Sequence, residues 1–246
     1  MTKVALITGA NRGLGLEIAR QLGQSGVTTL VAARDAERGE KAAAELAADG
    51  LDAHAVVLDV ESASSVEAAA EHVRDVYGRL DILVNNAGIL PEATTPEATQ
   101  PLDLELFRRT FDTNLFGAVA VTQSFLPLLR RSPAGRIVNV STTMGSLADQ
   151  SDPSSPYYRL VVPAYQTSKA ALNGLTIALA KTLADTPIKV NSVCPGWVKT
   201  DLGGPANRAA APLHAADAAR TAVTMASLPD DGPTGQFVDR NGTVPW

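Results

Sequence analysis

A single cysteine, Cys194, occurs among the 246 residues. No internal disulfide can form, which fits a reducing compartment and gives the expectation of a cytoplasmic protein. Histidine is nearly as scarce. His54, His72 and His214 are scattered, and the cysteine has no partner at ligand spacing, so no metal site is expected. Basic residues are outnumbered: 21 Lys and Arg against 26 Asp and Glu leave a net charge of −5. With no basic stripe, a nucleic-acid partner is not expected. No uncharged apolar run approaches the length of a membrane span. The first ten residues, MTKVALITGA, enter a strand at once and lack a charged region followed by a long apolar core, so no signal peptide is expected. There is no repeat at solenoid periods and no low-complexity tract.

What is present is apolar material for a buried sheet: 45% of residues are hydrophobic and 19% charged. Short runs rich in β-branched residues predict buried parallel strands at residues 3–8, 28–33, 53–58, 82–85, 136–141 and 189–194, with a short last one at 236–238. Helical segments separate them at 14–24, 36–48, 66–77, 104–130, 165–184 and 215–227. Ser64 with Glu67 reads as a capping box for the third helix. Gly26 and Gly50 stand where helix-ending glycines belong. The alternation predicts one α/β domain over 1–246, a Rossmann-type, doubly wound parallel sheet of about seven strands with helices on both faces. Two long irregular loops, 143–163 and 195–212, leave the carboxyl ends of strands, the edge where open sheets bind ligands.

The first strand runs into Thr8-Gly9-Ala10-Asn11-Arg12-Gly13-Leu14-Gly15 and then a helix. Glycines there let the backbone turn sharply and approach a diphosphate, while the helix N-terminus offers free N–H groups and partial positive charge. An acidic residue at the end of the second strand would accept from the ribose 2′-hydroxyl of NAD; this chain has Arg34. A guanidinium suits a 2′-phosphate. Arg12 lies in the glycine-rich turn and Arg38 one helical turn past Arg34, so three cations can converge, which favours NADPH; Arg38 reads equally as a residue of a solvated helix face. Asp35 reads as the helix N-cap. Asp59, followed by Val60, ends the third strand, as an acceptor for the adenine amine or as a turn residue. Asn85-Asn86-Ala87-Gly88 ends the fourth, where small residues let a cofactor pass or the asparagines satisfy loop carbonyls.

Tyr165 and Lys169 stand four apart, on one helix face. A free phenol has a pKa of about 10, and a neighbouring ammonium is expected to lower it. Such a pair can deliver a proton to a carbonyl oxygen as hydride reaches the carbon. Ser141 and Thr142 close the fifth strand. Successive strand side chains point to opposite faces, so one of the two hydroxyls faces the substrate oxygen. Asn114 is a polar residue in the long helix, either tying a water into a proton path to Lys169 or satisfied by backbone.

Taken in order, these elements with Pro195-Gly196 resemble the short-chain dehydrogenase/reductase family from end to end. The segment Ala33-Arg34-Asp35 with Arg38-Gly39, the run from Cys194 to Asp201, and the ending Gly232-Pro233-Thr234-Gly235-Gln236-Phe237-Val238 with Trp246 resemble its carbonyl reductase branch. The resemblance implies Tyr165 as general acid, Lys169 as holder of the nicotinamide ribose, Asn114 as anchor of a proton relay, and Pro195, Gly196, Val198 and Thr200 against the nicotinamide carboxamide. Two departures stand out. Thr142 replaces the family's usual serine, keeping the hydroxyl but adding a methyl and a stiffer χ1. The stretch before Tyr165 is longer than usual, and this insertion leaves monomer and small homo-oligomer both open.

The expected activity is NADPH-dependent reduction of a small-molecule ketone or aldehyde. Oxidation of a secondary alcohol and cofactor sensing without turnover are the alternatives. If Arg34 reads the 2′-phosphate, Arg34→Asp shifts preference from NADPH toward NADH in parallel binding titrations. Equal affinity of the native protein for the two cofactors would refute that role.

Overall fold

In the computed structural model, which describes residues 2–94 and 102–246, the predicted apolar runs are strands, buried throughout in the centre of the sheet and partly exposed at 53–57 and 237–239. They are β1 (Val4–Thr8), β2 (Thr28–Ala33), β3 (Ala53–Val57), β4 (Ile82–Asn85), β5 (Arg136–Val140), β6 (Lys189–Val193) and β7 (Phe237–Asp239). These seven are parallel, and the two-residue β8 (Gly242–Thr243) adds an antiparallel edge. The order is β3-β2-β1-β4-β5-β6-β7-β8, so the winding reverses between β1 and β4. At that reversal the two flanking connections leave on opposite faces and open a crevice beyond the strands' carboxyl ends.

The helices are α1 (Gly13–Gln24), α2 (Ala36–Ala48), α3 (Ala63–Tyr77), α4 (Leu104–Phe111), α5 (Gly117–Leu129), α6 (Leu147–Ser151), α7 (Pro163–Thr182), α8 (Gly204–Ala210) and α9 (Ala215–Ala226). Alternate strand residues face alternate layers. Leu6, Leu30, Leu83 and Ile137 pack with α3, α5 and α7 through Val73, Phe125 and Ala180. Ile7, Val31, Val84 and Val138 pack on the other side with α1, α2 and α9 through Ile18, Leu46 and Ala222. Among the described residues, no helix is long and apolar enough to cross a membrane.

Three expectations are corrected. The Ser64–Glu67 capping box is not used: Ser62 caps α3, its hydroxyl accepting from the Ser65 N–H at 3.3 Å. Ser65 is engaged instead with the Asp59 backbone at 3.0 Å, which starts the helix earlier. The single helix over 104–130 is interrupted by a π turn, Asp112–Phe116, where Asn114 and Thr113 turn inward. The two loops are not irregular throughout: 143–163 contains a 3-10 turn, Thr143–Gly145, and α6, and 195–212 contains α8. Gly26 and Gly50 do follow their helices in left-handed conformation, and Asp35 does cap α2 through the Arg38 N–H.

Phe125 is fully buried where α5 meets the sheet. Phe125→Ala is expected to cost about 3–5 kcal/mol of unfolding free energy. Phe116→Ala, at a position 58% exposed, is expected to stay within about 0.5 kcal/mol. Urea denaturation with unchanged m-values checks both; equal costs would contradict the layer assignment.

Candidate active site

A cleft of about 1070 Å³ lies over the carboxyl ends of β1, β4 and β5. Its floor begins at the turn after β1. Gly9 and Gly13 take φ of 64° and 58°, reversing the chain into α1. A Cβ on Gly15 would stand 2.6 Å from Asn86 Nδ2 and 2.8 Å from the Gly9 carbonyl oxygen, so only glycine fits. Asn86 braces this turn: its side-chain amide donates to the carbonyls of Thr8 at 2.8 Å and Gly9 at 3.3 Å. The Thr8 hydroxyl accepts from the N–H groups of Asn86 and Ala87, both at 2.9 Å. Among the described residues no side chain caps the first turn of α1, and Asn11, Gly13, Leu14 and Gly15 line the cleft. An uncapped helix N-terminus with backbone exposed this closely is built to take an anion.

Arg12, Arg34 and Arg38 all line the same cleft, but they do not converge as three free charges. Arg12 pairs with Asp201 at 2.6 Å, and Asp201 also holds Arg208 at 2.8 Å. Arg38 pairs with Asp35 at 3.3 Å, one helical turn away. Arg34 is exposed at the end of β2, and among the described residues no hydrogen bond or ion pair engages its side chain. Exposed pairs of this kind are weak and exchangeable. Asp59 and Val60 line the cleft, and Asp59 accepts from the Glu61 N–H at 3.1 Å as a turn residue does. Ala87, Gly88, Pro195, Gly196, Val198 and Thr200 complete the wall. The close-fitted glycines, the uncapped helix and the unpaired Arg34 together fit a dinucleotide with a 2′-phosphate.

α7 brings Tyr165 and Lys169 into the cleft, and both are buried. Lys169 Nζ donates to the Val140 carbonyl at the end of β5 at 2.8 Å and lies 5.8 Å from the Tyr165 ring centre. Burial without a carboxylate partner lowers the Lys169 pKa from 10.5 to about 8. The expected lowering of Tyr165 is not found. Burial pushes its hydroxyl above the ordinary phenol value, with Cys194 acting in the same direction. Desolvation is the larger cause, and the neighbouring ammonium donates to the Val140 carbonyl. The phenol is thereby kept protonated, the form in which it can donate.

The two hydroxyls after β5 diverge. Ser141 is buried and points at the Lys169 carbonyl at 3.5 Å. Thr142 is half-buried, and its oxygen accepts from the Met144 N–H at 3.2 Å at the cleft wall. Asn114 lies behind the wall, 1% exposed. Its oxygen accepts from the Ile89 N–H at 2.8 Å, and its amide donates to the Ile89 carbonyl at 3.0 Å and the Ser168 hydroxyl at 3.1 Å. A Cβ on Gly88 would stand 3.3 Å from Asn114 Oδ1 and 3.5 Å from Lys169 Nζ, so both groups face one point. Ser168 was not singled out by sequence; its hydroxyl donates to the Tyr165 carbonyl at 2.8 Å. Its position within the Tyr165–Lys169 turn was the available signal. Beneath the site a buried polar chain links Asn85 to Asn139 at 2.8 Å, and Asn139 to Thr176 at 2.8 Å. Among the described residues, no group of His, Cys, Asp and Glu is placed to hold a metal ion.

Residues 3–211 match the family model described as short chain dehydrogenase. The carbonyl reductase (NADPH) 1 of Sus scrofa is 34% identical over 100% of this chain and 94% of its own length. The (-)-isopiperitenone reductase of Mentha piperita is 31% identical over 97% of this chain and 96% of its own. Among solved structures, the NADPH-bound carbonyl reductase from chicken fatty liver superposes with a TM-score of 0.83 at 28% identity, covering 100% of this chain and 99% of that one.

The buried ammonium has a consequence for stability. From about pH 8 to 10.5 the unfolded chain holds a proton that folded Lys169 has released, so this residue's contribution to stability rises with pH across that window. Near pH 7 the penalty is fully present, and Lys169→Met is expected to be more stable than native protein by up to about 3 kcal/mol. The gap closes toward about pH 10. Urea denaturation at the two pH values measures it, and a pH-independent gap would contradict the assignment.

Proposed function

This chain belongs to the short-chain dehydrogenase family, and from that premise we propose that residues 1–246 act as one NADP-binding unit whose cleft converts a ketone or aldehyde to the alcohol. It is an NADPH-dependent oxidoreductase of the carbonyl reductase branch. The observation that carries the site assignment is Tyr165 and Lys169, buried together beside the glycine-rich turn. Gly9, Asn11, Arg12, Gly13, Leu14 and Gly15 would hold the diphosphate side, with Arg34 and Arg38 at the 2′-phosphate. Asp59 and Val60 would hold the adenine. Asn86, Ala87, Gly88, Pro195, Gly196, Val198 and Thr200 would line the nicotinamide end. When bound, NADPH supplies the hydride.

The chain's own residues handle the oxygen and its proton. Thr142 orients the carbonyl oxygen toward the Tyr165 hydroxyl. The Tyr165 phenol then gives its proton to the developing alkoxide, a far stronger base than phenolate, so a raised phenol pKa does not block the transfer. Lys169 holds positive charge beside the ring as that proton leaves. Asn114 keeps the backbone around Ile89 and Ser168 fixed behind it. The insertion 143–163 and the segment 195–212 cover the substrate end. Leu160, Val161, Trp197 and Leu202 line it and are 40–75% exposed, an apolar patch that fits a bulky apolar ketone.

The lone buried Cys194 supports a cytoplasmic setting. The acidic charge balance supports the absence of a nucleic-acid partner. We place no membrane among its partners and read it as a monomer or small homo-oligomer.

NADPH oxidation followed by absorbance over a panel of ketones tests the function. Bulky cyclic ketones are expected to exceed small linear ones in kcat/KM, and Tyr165→Phe to lower kcat by about 100-fold or more while still binding NADPH. Tight NADPH binding by native protein without turnover on a wide panel would favour a sensor.

A further inference from the structure

We propose that Glu92 is a positioning residue for Tyr165, an inference that rests on Tyr165 being the proton donor. Glu92 sits in the 3-10 turn Pro91–Ala93, on the stretch of chain following β4. Its two carboxylate oxygens each accept one backbone N–H from the first turn of α7, from Ala164 and from Tyr165, both at 2.9 Å. Val162, the residue before the helix, makes no side-chain cap, and Pro163 at the first position has no N–H to satisfy. The cap of this 20-residue helix therefore arrives from 72 residues away. Hydrogen bonds from a helix N-terminus to a carboxylate are charge-assisted and favoured by the helix dipole.

The carbonyl side of Tyr165 is held as well. Ser168 donates to the Tyr165 carbonyl, and the Ser168 hydroxyl in turn accepts from Asn114. Asn114 also grips both backbone polar groups of Ile89. The segment 89–92 is thus pinned at one end by Asn114 and clipped at the other to α7. Its residue Leu90 and the neighbouring Ala93 line the cleft. Thr94 Cγ2 lies 3.1 Å from where a Cβ on Gly204 would stand, at the start of α8. One carboxylate joins the substrate wall, next to the covering helix, to the backbone of the residue that donates the proton. A serine or aspartate at position 162 would cap the helix equally well. A cap drawn from the cleft wall adds something a local one does not: the wall and the phenol keep a fixed relation. A displacement of about 1 Å at a reacting group can cost about 100-fold in rate.

Glu92→Ala removes both acceptors; Glu92→Gln keeps one and sets an amide donor against the other N–H. Glu92→Ala is expected to lower kcat about tenfold or more, with NADPH affinity by fluorescence titration unchanged, and Glu92→Gln to fall between. Amide hydrogen exchange at Ala164 and Tyr165, read without turnover, is expected to accelerate in both variants. Ser62→Ala uncaps α3, which carries neither Tyr165 nor Lys169, and is expected to leave kcat unchanged. Native kcat in Glu92→Ala overturns the proposal. So does a parallel loss of kcat and NADPH affinity, or an equal loss of kcat in Ser62→Ala. If native protein turned over no ketone, the functional reading would fail by itself. Unchanged exchange in Glu92→Gln would still separately overturn the clip.

Discussion

An ammonium held out of water, with the Val140 carbonyl rather than a carboxylate as its hydrogen-bond partner, is the constraint around which this site is organised. Such a group destabilises the folded chain at neutral pH. It persists because the surrounding elements over-determine its place. Lys169 is fixed by a helix whose inner face, with Leu172, Thr176 and Ala180, is buried, and its acceptor terminates a central strand. Gly145 is a further consequence: a Cβ there would stand 2.9 Å from the Lys169 carbonyl carbon, so the turn after β5 closes directly onto α7.

The architecture delivers every other group to the same edge. Winding reverses between β1 and β4, so the uncapped start of α1 and the small residues after β4 flank one crevice. β5 and β6 extend that edge, carrying Thr142 and Pro195 to the far wall. The Arg12–Asp201 pair links the glycine-rich turn to the segment 195–212. The parts proposed to face cofactor and substrate are therefore one continuous surface built by different stretches of chain.

Much of this was legible in the sequence, for physical reasons. Strands buried on both faces must be continuous apolar runs, so β2 and β4 could be bounded to the residue. The glycine-rich turn was legible because backbone contact tolerates nothing larger at Gly15. What was not legible depends on long-range contact. The π turn at Asp112–Phe116 scarcely disturbs helical periodicity; its trace was Gly117, where a Cβ would stand 2.8 Å from Val60 Cγ2. The start of α3 was misplaced because three nearby serines can each cap, and only the grip of Ser65 on Asp59 selects Ser62. The direction of the Tyr165 shift was misjudged because spacing reveals proximity to Lys169 but not burial, nor the carbonyl that Nζ prefers. Glu92 carries no local signal, since its partners lie 72 and 73 residues away.

Every role proposed for these residues requires that hydride pass from NADPH to a carbonyl carbon within this cleft. Turnover of a bulky cyclic ketone with NADPH deuterated at the transferring position tests it directly, with the product alcohol read by mass spectrometry and NMR. Deuterium is expected on the carbinol carbon of a single product stereoisomer. An alcohol carrying no label from the cofactor would contradict it.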